Sequence, residues 1–215
     1  GKNAQALALV DDAAATGVFA RALCDPHFDA RPALARAAAH AEQEGDFAGL
    51  ATTHNYAAIV AYRRGEFRAA RAGYERALTA AERARDVVLA ATLRMNLAAL
   101  LFHQGHLRAA QEHLERARSV FRATSSLAPA LWACRNLGHL YLELGLREQA
   151  RQILTDVPAR ALALGMPQHA AGASALLGLL AAHDDDFDTA RSRLADARAR
   201  FAALGDERSV AETCL

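Results

Sequence analysis

The chain has 215 residues, of which 53% are hydrophobic but only 6% aromatic, and its formal charge is +1. That balance gives no basic field for a nucleic-acid backbone and no acidic tail. No apolar run reaches the length of a membrane span, and the N-terminus lacks a charged-then-apolar leader, so the expected protein is soluble and cytoplasmic, without nucleic-acid or membrane partners.

Abundant Ala, Leu, Arg and Glu with few β-branched residues is the composition of helix. Nearly all cations are Arg, Lys2 being the one lysine, which reads as the bias of a high-GC bacterial genome. Cys24, Cys134 and Cys214 form no CxxC, are odd in number and sit in apolar helical surroundings. Reduced thiols are expected, not a disulfide framework.

Taken in chain order, the elements fall into units of forty residues. The first unit, 6–45, is the most degenerate, with Asp25-Pro26-His27-Phe28 where later units carry a glycine turn. The second, 46–85, turns at Gly65; the third, 86–125, at Gly105; the fourth, 126–165, at Gly145; and the fifth, 166–205, at Asp185. Residues 206–215 begin a sixth helix. In the third unit the spacing predicts helix A over 88–103, a turn at 104–106 and helix B over 107–122. Asp46, Asp86, Ser126 and Asp206 stand where each helix A begins and are expected N-caps.

Several columns recur together, which makes the period strong evidence of a repeat array. Ala58, Ala98, Gly138 and Gly178 form a small column on helix A. Ala70, Ala110, Ala150 and Ala190 form another on helix B, followed by Ala77, Ala117, Val157 and Ala197. Tyr74, Leu114, Leu154 and Leu194 are the bulky column between. Small residues facing one another let the two backbones approach, and the bulky residue fills the space beside them. Arg68, Arg71, Glu75 and Arg76 read as a solvated exterior. The expected fold class is all-α, an α-solenoid of antiparallel helix pairs forming a single array over 1–215. Pro158 breaks the pattern of the fourth unit: helix B is expected to end near 155–157, with Pro158 opening a fresh turn, the alternative being a kink.

Leu137-Gly138, Tyr141, Ala150 and Leu154 resemble the L-G-x-x-Y…A-x-x-x-L/F signature of the tetratricopeptide repeat (TPR). The usual unit is about 34 residues; the longer unit here is similar to the extended repeats of kinesin light chain and of large bacterial ATPase-linked regulators. The family's Trp slot holds Cys134 in the fourth unit, and its terminal Pro is absent.

The resemblance implies a right-handed superhelix whose inner face is lined by helix A. The inward slots then become Thr52, Asn55, Tyr56, Ile59, Tyr62 and Arg63 in the second unit. In the third they are Thr92, Met95, Asn96, Ala99, Phe102 and His103. In the fourth they are Trp132, Arg135, Asn136, His139, Leu142 and Glu143; the fifth is bland, from Gly172 to His183. The candidate ligand groove is Asn55, Tyr62, Thr92, Asn96, Phe102, Trp132, Arg135, Asn136 and His139. An Asn amide offers donor and acceptor to a peptide backbone, Trp132 an apolar anchor, and Arg135 a partner for a carboxylate. The alternative is that Asn96 and Asn136 brace neighbouring helices and Trp132 is core. The slots of the family's carboxylate clamp hold Asn55, Ile59, Asn96, Trp132 and Asn136, which excludes binding of chaperone tails.

No phosphate loop, nucleophile elbow or paired catalytic carboxylates can be read, so no enzyme and no cofactor are expected. Asp184-Asp185-Asp186 with Asp188 lacks calcium-loop spacing and reads as a helix cap. His103, His106 and His113 straddle a turn and read as exposed turn residues rather than zinc ligands. The expected function is a non-catalytic scaffold for a protein or peptide segment. The alternative is a sensor or oligomerisation arm of a larger bacterial regulator, self-associating through its C-terminal end.

Overall fold

A computed structural model of the chain describes residues 15–25 and 27–213; Lys2, the start of the first expected unit, Pro26 and Cys214 lie outside the described residues. Its helices are 15–24 (α1), Arg31–Glu44 (α2), Phe47–Arg63 (α3), Phe67–Arg83 (α4), Val87–His103 (α5) and Leu107–Ala123 (α6). They continue with Leu127–Glu143 (α7), Arg147–Leu154 (α8), Val157–Ala163 (α9), Pro167–His183 (α10), Phe187–Ala203 (α11) and Glu207–Glu212 (α12). There is no strand among the described residues. No helix among them is long and apolar enough to cross a membrane.

The forty-residue sequence period is halved in the backbone. Left-handed residues stand at 45, 65, 85, 105, 125, 145, 165, 185 and 205, with φ from 55° to 77°. Glycine takes this conformation without steric cost; Arg85, Ser125 and Asp185 adopt it against their Cβ. At the α3–α4 turn, the Gly65 N–H donates to the Tyr62 carbonyl at 3.0 Å and the Glu66 N–H to Ala61 at 2.9 Å. These bonds satisfy carbonyls that a helix end leaves open, and the same pair recurs at the α4–α5 turn.

The residue after each left-handed position takes the N-cap position of the next helix, and where it is an aspartate its side chain accepts from the first turn. Asp46 accepts from the Gly49 N–H, Asp86 from Val88 and Leu89, and Asp206 from Ser209. Ser126 is the exception among the expected caps: it makes no side-chain capping bond, and its hydroxyl pairs with that of Thr124 at 2.9 Å. The acidic run works as a turn, with Asp185 left-handed and Asp186 accepting from the Thr189 N–H. Asp184 pairs with Arg151.

The chain forms two compact units, 1–104 and 105–215. In the first, α2, α3, α4 and α5 pack pairwise in succession. Its core joins Leu50, Ala51, Ala77, Ala80, Ala81, Ala90 and Leu93, and a second cluster sets Leu34 and Ala30 against Tyr56 and Phe28. In the second unit α6 packs on α7, α7 on α8, and α10 on α9 and α11, with α7 and α10 also in contact. Its core joins Leu131, Ala150, Leu154, Val157, Ala161 and Leu180. Fully burying one leucine contributes roughly 1.5–3 kcal/mol.

The two helix types differ as their surroundings require. On α6 the buried residues are Ala110, Leu114, Ala117 and Phe121, a single stripe at helical spacing with charge opposite. On α5 they include Ala90, Leu93, Met95, Leu97, Ala98 and Leu101, which cover more than half of the helix circumference and leave open the face of Thr92, Asn96 and His103. The expected exterior of α4 is exposed, with Arg71 and Glu75 paired at 2.9 Å.

The small columns are buried, but small does not always meet small. In the first unit a Cβ on Gly73 would lie 2.8 Å from the Ala58 Cβ, the close approach expected, although Gly73 belongs to neither column. In the second unit Gly138 and Gly178 are met by the bulky Leu154 and Leu194 instead. Glycine there is the hole that receives a leucine knob. Helix B of the fourth unit is divided as expected: α8 ends at Leu154, and Pro158 stands in the first turn of α9, where its missing N–H costs nothing.

Candidate binding surface

In the first unit the groove candidates lie on α3 and α5. The Asn96 side-chain amide donates to Oδ1 of Asn55 at 3.0 Å, across the two helices. Asn96 therefore braces α5 on α3, the structural role that competes with ligand binding, and retains its own carbonyl as acceptor. The Thr92 hydroxyl donates to the Val88 carbonyl of its own helix at 3.0 Å, which spends its donor locally. Tyr62 packs its ring against Phe67 and His103, with centroids 5.9 and 5.7 Å away, and Phe102 meets His103 edge-on at 6.0 Å. Met95 corrects the slot assignment: at 1% exposure it is core, not groove.

In the second unit Trp132, Arg135, Asn136 and His139 follow one another at helical spacing on a single face of α7. Trp132 is half-buried rather than core. Its ring stands edge-on to His169 of α10, centroids 5.7 Å apart and planes at 86°. Arg135 donates to Oδ1 of its neighbour Asn136 at 3.0 Å. Desolvation pulls the Arg135 pKa down from the ordinary arginine value, and no carboxylate among the described residues pairs with it. His139 is more exposed and lies 3.7 Å from Glu143, one turn on.

Two members of this cluster are not groove candidates in the sequence. A Cβ on Gly172 of α10 would lie 3.3 Å from both Cδ and Nη1 of Arg135, so the bare glycine leaves room for the guanidinium. His169 is held toward its neutral form, first by desolvation and then by the charge of Arg135. Both belong to the fifth unit, whose inward slots look bland in sequence because the chemistry comes from the helix opposite. A second feature missed is a group of arginines about Cys134. Burial pushes the thiol pKa up and outweighs the opposing charges of Arg118, Arg160 and Arg122, so the group is a thiol and not a thiolate.

Residues 88–163, from α5 through α9, match the family model of the tetratricopeptide repeat. The fold is that of the tetratricopeptide-repeat superfamily. Among solved structures, the apo form of RapI is similar at a TM-score of 0.78 and 15% identity, over 93% of this chain and 74% of that one. BtubC (BKLC) from P. vanneervenii is similar at a TM-score of 0.65 and 19% identity, over 92% of this chain and 91% of that one. YrrB, a TPR protein with an unusual peptide-binding site, is similar at 0.54 and 20% identity, over 78% and 77%. No curated protein matches the chain in sequence.

The TPR signature has a visible purpose in the second unit. Leu137, Ala150 and Leu154 are fully buried, and Gly138 receives Leu154. The Tyr141 hydroxyl donates to Glu115 of α6 at 3.1 Å. Cys134, in the TPR Trp slot, packs against the same core.

Proposed function

We propose that the chain is a non-catalytic scaffold whose helix-A faces hold a peptide or protein segment. The observation that carries this reading is the α7 face. A half-buried Trp132 stands beside an Arg135 guanidinium that has no ion pair among the described residues, and beside Asn136. Desolvating a cation without a partner is costly, and a ligand that supplies the partner recovers that cost. Tryptophan and arginine are also the residues that most often dominate binding energy at interfaces. YrrB, similar in fold, is a TPR protein with a peptide-binding site, which supports the class of ligand. The groups gathered on α7 can hold a chain by stacking and hydrogen bonds; they do not form a nucleophile with its base.

A displayed library of random peptides selected on the immobilised chain tests this. Recovered peptides are expected to bind the N136A and W132F variants at least about fivefold more weakly. Binding to E75A, altered on the exposed face of α4, should be unchanged. Recovery of no peptide, or equal binding to all variants, would count against the scaffold reading.

A further inference from the structure

Arg135 is a half-buried cation that no carboxylate among the described residues pairs with. Its guanidinium donates to Asn136 Oδ1 at 3.0 Å, leaving further N–H groups of the fork for another acceptor. Gly172 of α10 sets no Cβ against the guanidinium, where one would lie 3.3 Å from Nη1. Trp132 and His169, in edge-to-face contact at 5.7 Å, stand at the same α7–α10 contact, and the charge of Arg135 reaches the imidazole. A purely structural arginine would be expected to reach an acidic side chain, as Arg94 reaches Glu82 at 2.7 Å and Arg200 reaches Asp196 at 2.9 Å. Arg135 does not.

We infer that Arg135, framed by Trp132, His169 and Gly172, is a subsite for a single carboxylate, so that the segment the scaffold holds is acidic at one position with an apolar residue beside it. The inference deepens the scaffold reading and rests on it for the identity of the ligand as a peptide. The fork of Arg135 meets the two carboxylate oxygens in the planar arrangement that arginine favours, and the indole takes the aliphatic part of the same or the adjoining side chain. His169, held neutral, offers one ring nitrogen as donor without adding a second charge. The geometry suits one carboxylate better than a phosphate, which would bring two negative charges to a single guanidinium.

The probes that test it are N-acetyl-glutamate amide and its isostere N-acetyl-glutamine amide, titrated into the whole chain. Trp132, the single tryptophan, reports by fluorescence, and the Arg135 Nε–H by NMR. The glutamate probe is expected to give a saturable change at least ~10-fold tighter than the glutamine probe. That preference should vanish in R135Q and weaken in G172A. Because no carboxylate among the described residues compensates the charge of Arg135, R135Q should fold with an unchanged or raised Tm, which an arginine held by an ion pair would not allow. Equal response to both probes, no response to either, or a preference that survives R135Q overturns the inference. The scaffold reading fails separately: if displayed peptides are recovered without an acidic position, the carboxylate subsite is wrong and the scaffold stands.

Discussion

Leu154 fills the space over Gly138, so that a Cβ at position 138 would fall within 2.7 Å of the leucine Cδ1. Leu154 is fully buried and cannot swing away into solvent. G138A gains about 1 kcal/mol of helix propensity but meets an overpacking cost of about 1–3 kcal/mol. The expected outcome is net destabilisation, read as a lower denaturation midpoint in urea. G172A meets only the Arg135 side chain, at Cδ and Nη1 3.3 Å away, and should be neutral or stabilising by the same measurement.

The Asn55–Asn96 hydrogen bond predicts coupling. N55A and N96A should each cost about 1 kcal/mol, and the double variant should cost less than their sum. Strict additivity in a double-mutant cycle would show that the pair does not brace α3 and α5. The cycle also separates the role of Asn96 in stability from any role in binding.

The left-handed turns predict gains. R85G, S125G and D185G replace residues with φ of 57°, 55° and 61°, and each is expected to raise stability by about 1 kcal/mol. S126D adds the capping carboxylate that Asp46, Asp86 and Asp206 already supply, and should gain about 0.5–1 kcal/mol; D86A should lose about 1. Thermal melts of the single variants decide each case.

Acid should weaken the fold through two histidines. His54 and His169 are both held below the ordinary value of 6.5, in each case first by desolvation and next by an arginine, Arg76 and Arg135 respectively. Between the folded and unfolded pKa the unfolded chain binds more protons. Stability from these groups is therefore full above pH 6.5 and lost as pH falls through the depressed folded values. Tm should drop between pH 7 and pH 5, and H169Q should flatten that drop. An identical slope in H169Q would contradict the assignment.

The helices and their turns were legible because packing and capping repeat in register: Gly65, Gly105 and Gly145 mark left-handed ends, and Asp46 and Asp86 cap as read. The twenty-residue backbone step was concealed at 85 and 125, where Arg and Ser accept a conformation their type does not announce. On the candidate surface, the inward slots implied by the family resemblance picked out Trp132, Arg135, Asn136 and His139, which share one face of α7. They could not foresee that Asn96 spends its amide on Asn55, that Met95 is core, or that His169 and Gly172 complete the surroundings of Arg135. Those facts depend on how one helix lies against the next, which one helix's periodicity does not contain.

Amide hydrogen exchange of the whole chain, with and without a peptide recovered by display, tests the central claim most directly. The account predicts that binding slows exchange on helix A, in α7 and α10 about Trp132, Arg135 and His169, and leaves α6 and α11 unchanged. Protection confined to α6 and α11, or no protection by a saturating peptide, would contradict it.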